Sequence, residues 1–196
     1  MLLTQKPKPF DHPDWIFEIK YDGFRALTYI ENGDCRLVSR KNHAYRSFHV
    51  LCEEITSCIE ADNAIIDGEI VCLSEQGRPQ FYELLHRRSD PYLYAFDLLW
   101  LHGEDLRALP LHEQKRRLRK VIPRSKRSRL RFSDHIEAAG CEAFRAACDM
   151  DLEGIVAKEK HASYIADTRR STWIKIKNPR YTQAEGRHEL FDQMRG

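Results

Sequence analysis

Six short segments of the sequence carry side chains that could act on a phosphate ester. In chain order they are Lys20-Tyr21-Asp22-Gly23-Phe24-Arg25, Ser39-Arg40, Asp67-Gly68-Glu69, Phe96-Asp97, Glu153-Gly154-Ile155-Val156 and Lys175-Ile176-Lys177. An unprotonated lysine is a nucleophile, and carboxylates bind hard cations such as Mg²⁺. An aromatic ring can stack on a base, and cations stabilise the charge that develops on a phosphate. Together these side chains are the parts needed to attack a nucleoside triphosphate at its α-phosphorus.

Lys20 lies next to a predicted turn. Apolar residues alternate with others over residues 15–19, which predicts a strand with one buried face. Asp22-Gly23 is a turn pair, so we predict a hairpin whose second strand covers residues 24–30. Neighbouring cations or partial burial would favour the unprotonated amine at this position. A single Lys-x-Asp-Gly is also typical of a surface lysine that ends a hairpin, and the later segments decide between the two interpretations.

The other segments fall on predicted strands. Further strands are predicted over residues 35–39, 64–66, 70–73, 92–100, 130–132, 153–158 and 173–177. Helices are predicted over residues 47–59, 80–86 and 111–121, and around 142–148. Asp67-Gly68-Glu69 interrupts two of the strands, which predicts a bulge or bend that projects Glu69. Strict alternation over residues 173–177 places Lys175 and Lys177 on one face.

Length and composition limit the classes of protein that fit. The 196 residues suit a single domain, and 42% hydrophobic residues can form a core. The sequence contains no apolar run of roughly 18–20 residues and no secretory signal, so we expect a cytoplasmic protein without a membrane partner. Six cysteines occur without a Cys-x-x-Cys pair, which favours reduced core thiols over a zinc site.

A basic run covers residues 115–131. It contains ten lysines and arginines and no acidic residue, although the formal net charge of the chain is only +2. Such a run can bind nucleic-acid phosphates. It can equally be the solvated face of a helix and its following loop, and the sequence leaves both interpretations open.

The ordered set of segments resembles the nucleotidyltransferase domain of ATP-dependent DNA ligases, in particular the ligase domains of bacterial end-joining enzymes. The resemblance covers about residues 9–178, so residues 1–196 would be one adenylation domain with a peripheral tail at 179–196. It implies an α+β fold of antiparallel sheets flanked by helices, as in DNA ligases and mRNA capping enzymes. A nucleotide would bind in the groove between the sheets.

The resemblance also implies a role for each matching residue. Lys20 would be the nucleophile that forms a lysyl–AMP phosphoramidate from ATP. Glu18 and the backbone of Ile19 would contact adenine, and Phe96 would stack against it.

Four further residues would surround the sugar, the phosphates and a metal. Arg25 and Arg40 would lie along the ribose and phosphate side. Glu69 would lie near the ribose hydroxyl or a metal, and Glu153 near a catalytic Mg²⁺ or Mn²⁺.

Basic residues near the end of the pattern would hold the phosphate. Lys175 and Lys177 would bind the α-phosphate. In the family an arginine ahead of this motif also contacts the nucleotide. We assign Arg170 to that place, with Arg169 as the alternative.

The implied activity is that of an ATP-dependent DNA ligase, which joins nicked or broken DNA in repair and recombination. Such ligases carry an oligonucleotide-binding barrel of roughly a hundred residues after this domain, and this sequence has about twenty residues after Lys177. We therefore expect lysine adenylation more firmly than sealing, and a separate DNA-binding or barrel-containing partner for sealing. An RNA-end ligase of the same superfamily and a non-catalytic nucleotide- or nucleic-acid-binding module are the alternatives.

Overall fold

Two β-sheets lie at the centre of the protein. The computed structural model describes residues 3–125, 127–165 and 171–184. In these ranges the first sheet has the strand order β1-β11-β10-β2-β9, antiparallel except where β1 pairs with β11. Its strands are β1 (Thr4–Gln5), β2 (His12–Ile19), β9 (His135–Ala138), β10 (Gly154–Glu159) and β11 (Trp173–Lys177).

The second sheet contains the middle of the chain. Its order is β4-β3-β5-β6-β7, all antiparallel, and β8 adds to β6 in parallel. Its strands are β3 (Phe24–Glu31), β4 (Asp34–Ser39), β5 (Asn63–Val71), β6 (Tyr92–Leu101), β7 (Glu104–Asp105) and β8 (Leu130–Phe132). The predicted α+β class with antiparallel sheets is confirmed.

Each sheet buries one face under helices, which gives the protein two hydrophobic cores. Phe17, Ile155 and Ile176 of the first sheet pack with helix α4 (Gly140–Asp149). The second core joins the second sheet to helices on its outer face. These are α1 (His49–Cys58), α2 (Phe81–Leu85) and α3 (Leu111–Val121). The other face of each sheet remains available for polar side chains.

The predicted hairpin over residues 15–30 is wrong, because β2 and β3 belong to different sheets. The chain crosses between the sheets at Asp22 and Gly23. Asp22 is buried and accepts a hydrogen bond from Tyr181 at 2.7 Å. A Cβ on Gly23 would lie 2.0 Å from the carbonyl oxygen of Ile70, so only glycine permits this approach. Lys20 is therefore placed where the two sheets meet.

The remaining predicted elements lie close to the observed ones. The helix predicted at 111–121 and the strand predicted at 173–177 have the observed bounds. The two strands predicted around Asp67-Gly68-Glu69 form one continuous strand, β5. The register does shift beside Asp67, but the additional residue is Phe96 on the neighbouring strand.

All six cysteines are free thiols. In the described ranges, no helix has both the length and the apolar character needed to cross a membrane.

Candidate active site

A cavity of about 400 Å³ opens between the two sheets. Residues from both sheets line it, together with the connection that carries Lys20. Seven residues predicted from the sequence are among them: Glu18, Ile19, Lys20, Arg25, Arg40, Glu69 and Phe96. The structure therefore brings together side chains that lie up to 78 positions apart in the sequence, from Glu18 to Phe96.

Strand alternation explains how the first sheet supplies its share of the cavity. Phe17 of β2 packs into the core with α4, so the next side chain, Glu18, points to the opposite face. On β11, Ile174 and Ile176 pack toward the same core. Trp173 therefore lines the cavity, and alternation places Lys175 and Lys177 on the same face of β11 as Trp173.

Lys20 is held by a carboxylate. Its Nζ donates a hydrogen bond to Oε2 of Glu153 at 2.5 Å, and Nζ of Lys177 lies 3.4 Å from the other oxygen. Glu153 precedes Gly154, whose φ of +136° and close approach to the Ile176 carbonyl exclude a side chain. This glycine brings Glu153 against β11. Glu153 thus links the predicted nucleophile to a predicted phosphate ligand.

Lys175 does not line the cavity but belongs to the same cationic cluster. Partial burial lowers the pKa of Lys175, and the charges of Lys177, Lys20 and Arg40 lower it further. Arg40 is exposed at the rim of the cavity. An anion bound here would relieve the mutual repulsion of these cations.

Arg25 is fixed by a buried carboxylate on the neighbouring strand. Its Nε and Nη2 donate to the two oxygens of Asp67 at 3.0 and 2.6 Å. Tyr164 donates to the same carboxylate at 2.8 Å. A bidentate pair of this kind sets the direction of the guanidinium. The sequence pattern includes Asp67 in the segment Asp67-Gly68-Glu69 but predicts no role for it in holding Arg25.

Two aromatic rings form one wall of the cavity. Phe96 and Trp173 meet edge to face, with ring centroids 5.7 Å apart. Lys158 lies 3.9 Å from the centroid of Trp173 and 4.5 Å from that of Phe96, and Arg25 contacts both rings at 5.1 and 5.6 Å. Neither Trp173 nor Lys158 is among the site residues that the sequence predicts. The alternation on β10 and β11 was the available signal for both.

Glu18 lies at the buried end of the cavity and is paired with two lysines. It forms ion pairs with Lys115 and, at 2.9 Å, with Lys158. Lys158 also lies 3.3 Å from Asp97, which is fully buried. Burial raises the pKa of Asp97 to about 6, against the opposing charge of Lys158.

Glu69 is the second carboxyl group of the cavity wall. Burial raises its pKa to about 8, although the charges of Lys20 and Arg25 act in the opposite direction. No cluster of three or more His, Cys, Asp or Glu side chains that could hold a metal by itself occurs in the described ranges. The predicted arginines, Arg170 and its alternative Arg169, lie outside the described residues.

The basic run is divided by the structure into paired and unpaired residues. Lys115 is buried. Arg116 and Arg117 pair with Glu113, and Arg129 pairs with Asp90 and Glu54. Four exposed members make no ion pair with any described residue, although Arg119 lies 4.9 Å from the centroid of the Phe132 ring: Arg119, Lys120, Arg124 and Arg127.

Comparison with known proteins identifies the family of this chain. The family model for the ATP dependent DNA ligase domain matches residues 4–177. The multifunctional non-homologous end joining protein LigD of Pseudomonas aeruginosa is 33% identical over 181 residues, which are 90% of this chain and 21% of that protein. A DNA ligase of Thermococcus fumicolans is 30% identical over 178 residues, which are 82% of this chain and 32% of that ligase. The chain thus spans less than a third of the length of either relative.

A solved structure shares the fold. Mycobacterial DNA ligase D complexed with ATP and MES superimposes with a TM-score of 0.75 at 27% identity, covering 90% of this chain and 59% of that one. The predicted fold of DNA ligase nucleotidyltransferase domains is therefore confirmed. Because the family model matches nearly the whole length and the fold agrees, this chain belongs to the ATP-dependent DNA ligase domain family.

Proposed function

We propose that residues 1–196 form an adenylation domain in which Lys20 attacks the α-phosphorus of ATP. A bond forms between Nζ and phosphorus, the bond from phosphorus to the bridging oxygen breaks, and pyrophosphate leaves with the electron pair. The product is a lysyl–AMP phosphoramidate. The observation that carries the proposal is the position of Lys20, in a cavity of about 400 Å³ that also presents aromatic rings and several cations.

The amine of Lys20 must lose its proton before it can attack. Glu153 is the acceptor in contact with it, at 2.5 Å. Lys177 lies on the other side of Glu153, with its Nζ 3.4 Å from the second carboxylate oxygen. Once Lys20 is bonded to phosphorus it carries no charge, so Glu153 loses one of its two ion-pair partners.

The cavity orients the nucleotide from its base to its phosphates. Phe96 and Glu18 would contact adenine, while Arg25, fixed by Asp67, would contact the ribose. The phosphates would then lie among the cations around Lys20. These are Arg40, Lys175 and Lys177. The negatively charged phosphates would then lie beside these positively charged side chains, which would stabilise them.

Mg²⁺ or Mn²⁺ fits the donor set that the cavity offers. Burial has raised the pKa of Glu69 to about 8, and a cation beside this carboxyl would favour its charged form. Glu153 is the second carboxylate of the site. Phosphate oxygens and water would complete the coordination, as is common for Mg²⁺. The cation would neutralise charge on the phosphate oxygens during attack.

We propose DNA as the final acceptor. AMP would pass from Lys20 to a 5′-phosphate, and a 3′-hydroxyl would then attack that phosphate, release AMP and join the strands. The support is the family and the similarity to a LigD protein named for end joining. Nicked or broken duplex in DNA repair is the substrate class that this implies. A separate partner protein would enlarge the DNA-binding surface.

The test is covalent labelling. The chain is incubated with ATP and Mg²⁺, and its intact mass is measured before and after addition of nicked DNA duplex. We expect a gain of one adenylyl group, its absence in Lys20→Ala, and its loss when the nicked duplex accepts AMP. Lys8→Ala is the control and should keep full labelling, because Lys8 is an exposed lysine that does not line the cavity. Undiminished labelling of Lys20→Ala would overturn the assignment, and a parallel nicked RNA substrate tests the alternative acceptor.

A further inference from the structure

Four charged side chains lie close together at the end of the cavity where the base would bind: Glu18, Lys115, Lys158 and Asp97. Lys115 is the member that comes from helix α3. Lys115 lies in the basic run on α3, yet its side chain is only 4% exposed. Its Nζ contacts Glu18 and donates a hydrogen bond to the carbonyl oxygen of Ser133 at 3.1 Å. The proposed mechanism makes no use of Lys115. Its burial therefore needs a separate explanation.

The contacts of Glu18 provide that explanation. Glu18 has one ammonium group on each carboxylate oxygen, from Lys115 and from Lys158. Burial alone would raise the pKa of Glu18, but the charges of Lys115 and Lys158 outweigh it and lower the pKa. Asp97 beside Lys158, His135 opposite Glu18 on β9, and Tyr21 are further titratable neighbours. Two positive neighbours thus keep a buried pocket residue ionised.

We infer that Lys115 is a positioning residue that holds Glu18 as a carboxylate, so that the cavity selects a base carrying an exocyclic amino group. An ionised carboxylate only accepts hydrogen bonds. It can bind the amino group of adenine, and it repels the carbonyl oxygen that replaces this group in hypoxanthine. A protonated Glu18 could donate to that carbonyl and would lose the distinction. This inference rests on the proposed function and names the part of the nucleotide that Lys115 controls.

The experiment compares equilibrium binding of AMP and IMP, which differ at this group and cannot adenylate Lys20. The native chain should prefer AMP by roughly 10- to 100-fold, the size expected for a hydrogen bond to a charged group. Lys115→Met removes one of the two counter-charges, so the preference should fall to about threefold or less. Arg116→Met is the matched control, because Arg116 follows Lys115 on α3 but is exposed and pairs with Glu113. The Arg116→Met variant should keep the native preference for AMP over IMP.

A merely structural role for Lys115 would weaken binding of AMP and IMP equally and leave the ratio unchanged, which would overturn the inference. If circular dichroism shows that Lys115→Met does not fold, Glu18→Gln and Lys115→Arg replace it. Glu18→Gln presents both a hydrogen-bond donor and an acceptor and should lose the preference for AMP. Lys115→Arg keeps the positive charge and should retain this preference. A native ratio in Glu18→Gln would also overturn the inference. Failure of the proposed function is distinct, because the native chain would then neither bind AMP nor become labelled by ATP.

Discussion

Replacement of Asp67 by asparagine tests whether the buried pair with Arg25 organises the cavity. The Asp67 side chain is 1% exposed and that of Arg25 is 14% exposed. Asp67 accepts two hydrogen bonds from Arg25 and one from Tyr164, and the Asp67→Asn change would turn an amide NH₂ toward a guanidinium that only donates. Breaking a buried pair while one charge remains costs about 3–5 kcal/mol of unfolding free energy. For a chain of this length that corresponds to a fall in Tm of roughly 6–20 °C.

Thermal and urea unfolding, followed by circular dichroism, measure this change. Asp105→Asn is the matched control, since Asp105 also forms a bidentate pair with an arginine, Arg107, but both side chains are exposed. We expect its Tm to remain almost unchanged, because solvent screens exposed pairs. Equal decreases in Tm for the two variants would refute the argument from burial. A decrease in the unfolding free energy of less than about 1 kcal/mol for Asp67→Asn would also refute it.

Three further predictions follow from the cavity and its surroundings. Lys120, Arg124 and Arg127 are exposed basic residues without an ion pair or an aromatic contact to any described residue. Replacing all three with Gln should weaken DNA binding and reduce the log–log slope of its salt dependence by about 0.9 for each lost phosphate contact. An unchanged slope in filter binding would assign them to a solvated face. Phe96→Ala should weaken ATP binding by roughly 5- to 150-fold, from the 1–3 kcal/mol of a base–aromatic contact; calorimetry that shows no loss would exclude stacking on Phe96. Burial raises the pKa of Glu69 from 4.5 to about 8, so the folded state loses stability relative to the unfolded state as pH rises through this range. The Tm of metal-free Glu69→Gln should therefore increasingly exceed that of the native chain between pH 5 and pH 8. A difference in Tm that stays constant with pH would contradict the raised pKa.

Local sequence patterns predicted most strands but did not predict which sheet each would join. Alternation over Trp173–Lys177 depends only on nearest neighbours along the strand, and its bounds were correct. Asp22-Gly23 predicts a hairpin turn because this pair commonly connects adjacent strands. Here Asp22 is held by Tyr181, 159 positions away in the sequence. No local pattern contains that contact, so the change of sheet could not be predicted from the turn.

The candidate site shows the same division between local and long-range information. Residue type and order predicted seven of the residues that line the cavity, between Glu18 and Phe96, but not Lys158 or Trp173. The sequence did not predict the ion-pair partners of these residues, such as Asp67 for Arg25 and Lys115 for Glu18, because the number of charges does not indicate which of them are buried. Lys115 illustrates this: within the basic run it was indistinguishable from its neighbours. Its spacing from Leu111 and Leu118 places it on the apolar face of α3, and that helical spacing was the signal that could have identified it.

The position of the cavity follows from the way the two sheets are covered. Each sheet packs one face against its own helices, so neither hydrophobic core needs the other sheet. Charged side chains can then occupy the two opposing faces, and ion pairs such as the one between Glu18 of β2 and Lys115 of α3 connect the two halves. A nucleotide bound between the sheets would contact side chains from both. The base would meet residues already fixed by buried ion pairs, whereas the phosphates would meet cations that repel one another until an anion arrives. In the proposed binding mode, specificity for the base and affinity for the phosphates would thus depend on different parts of the fold, so that substitutions around Lys115 and around Lys175 should have separable effects.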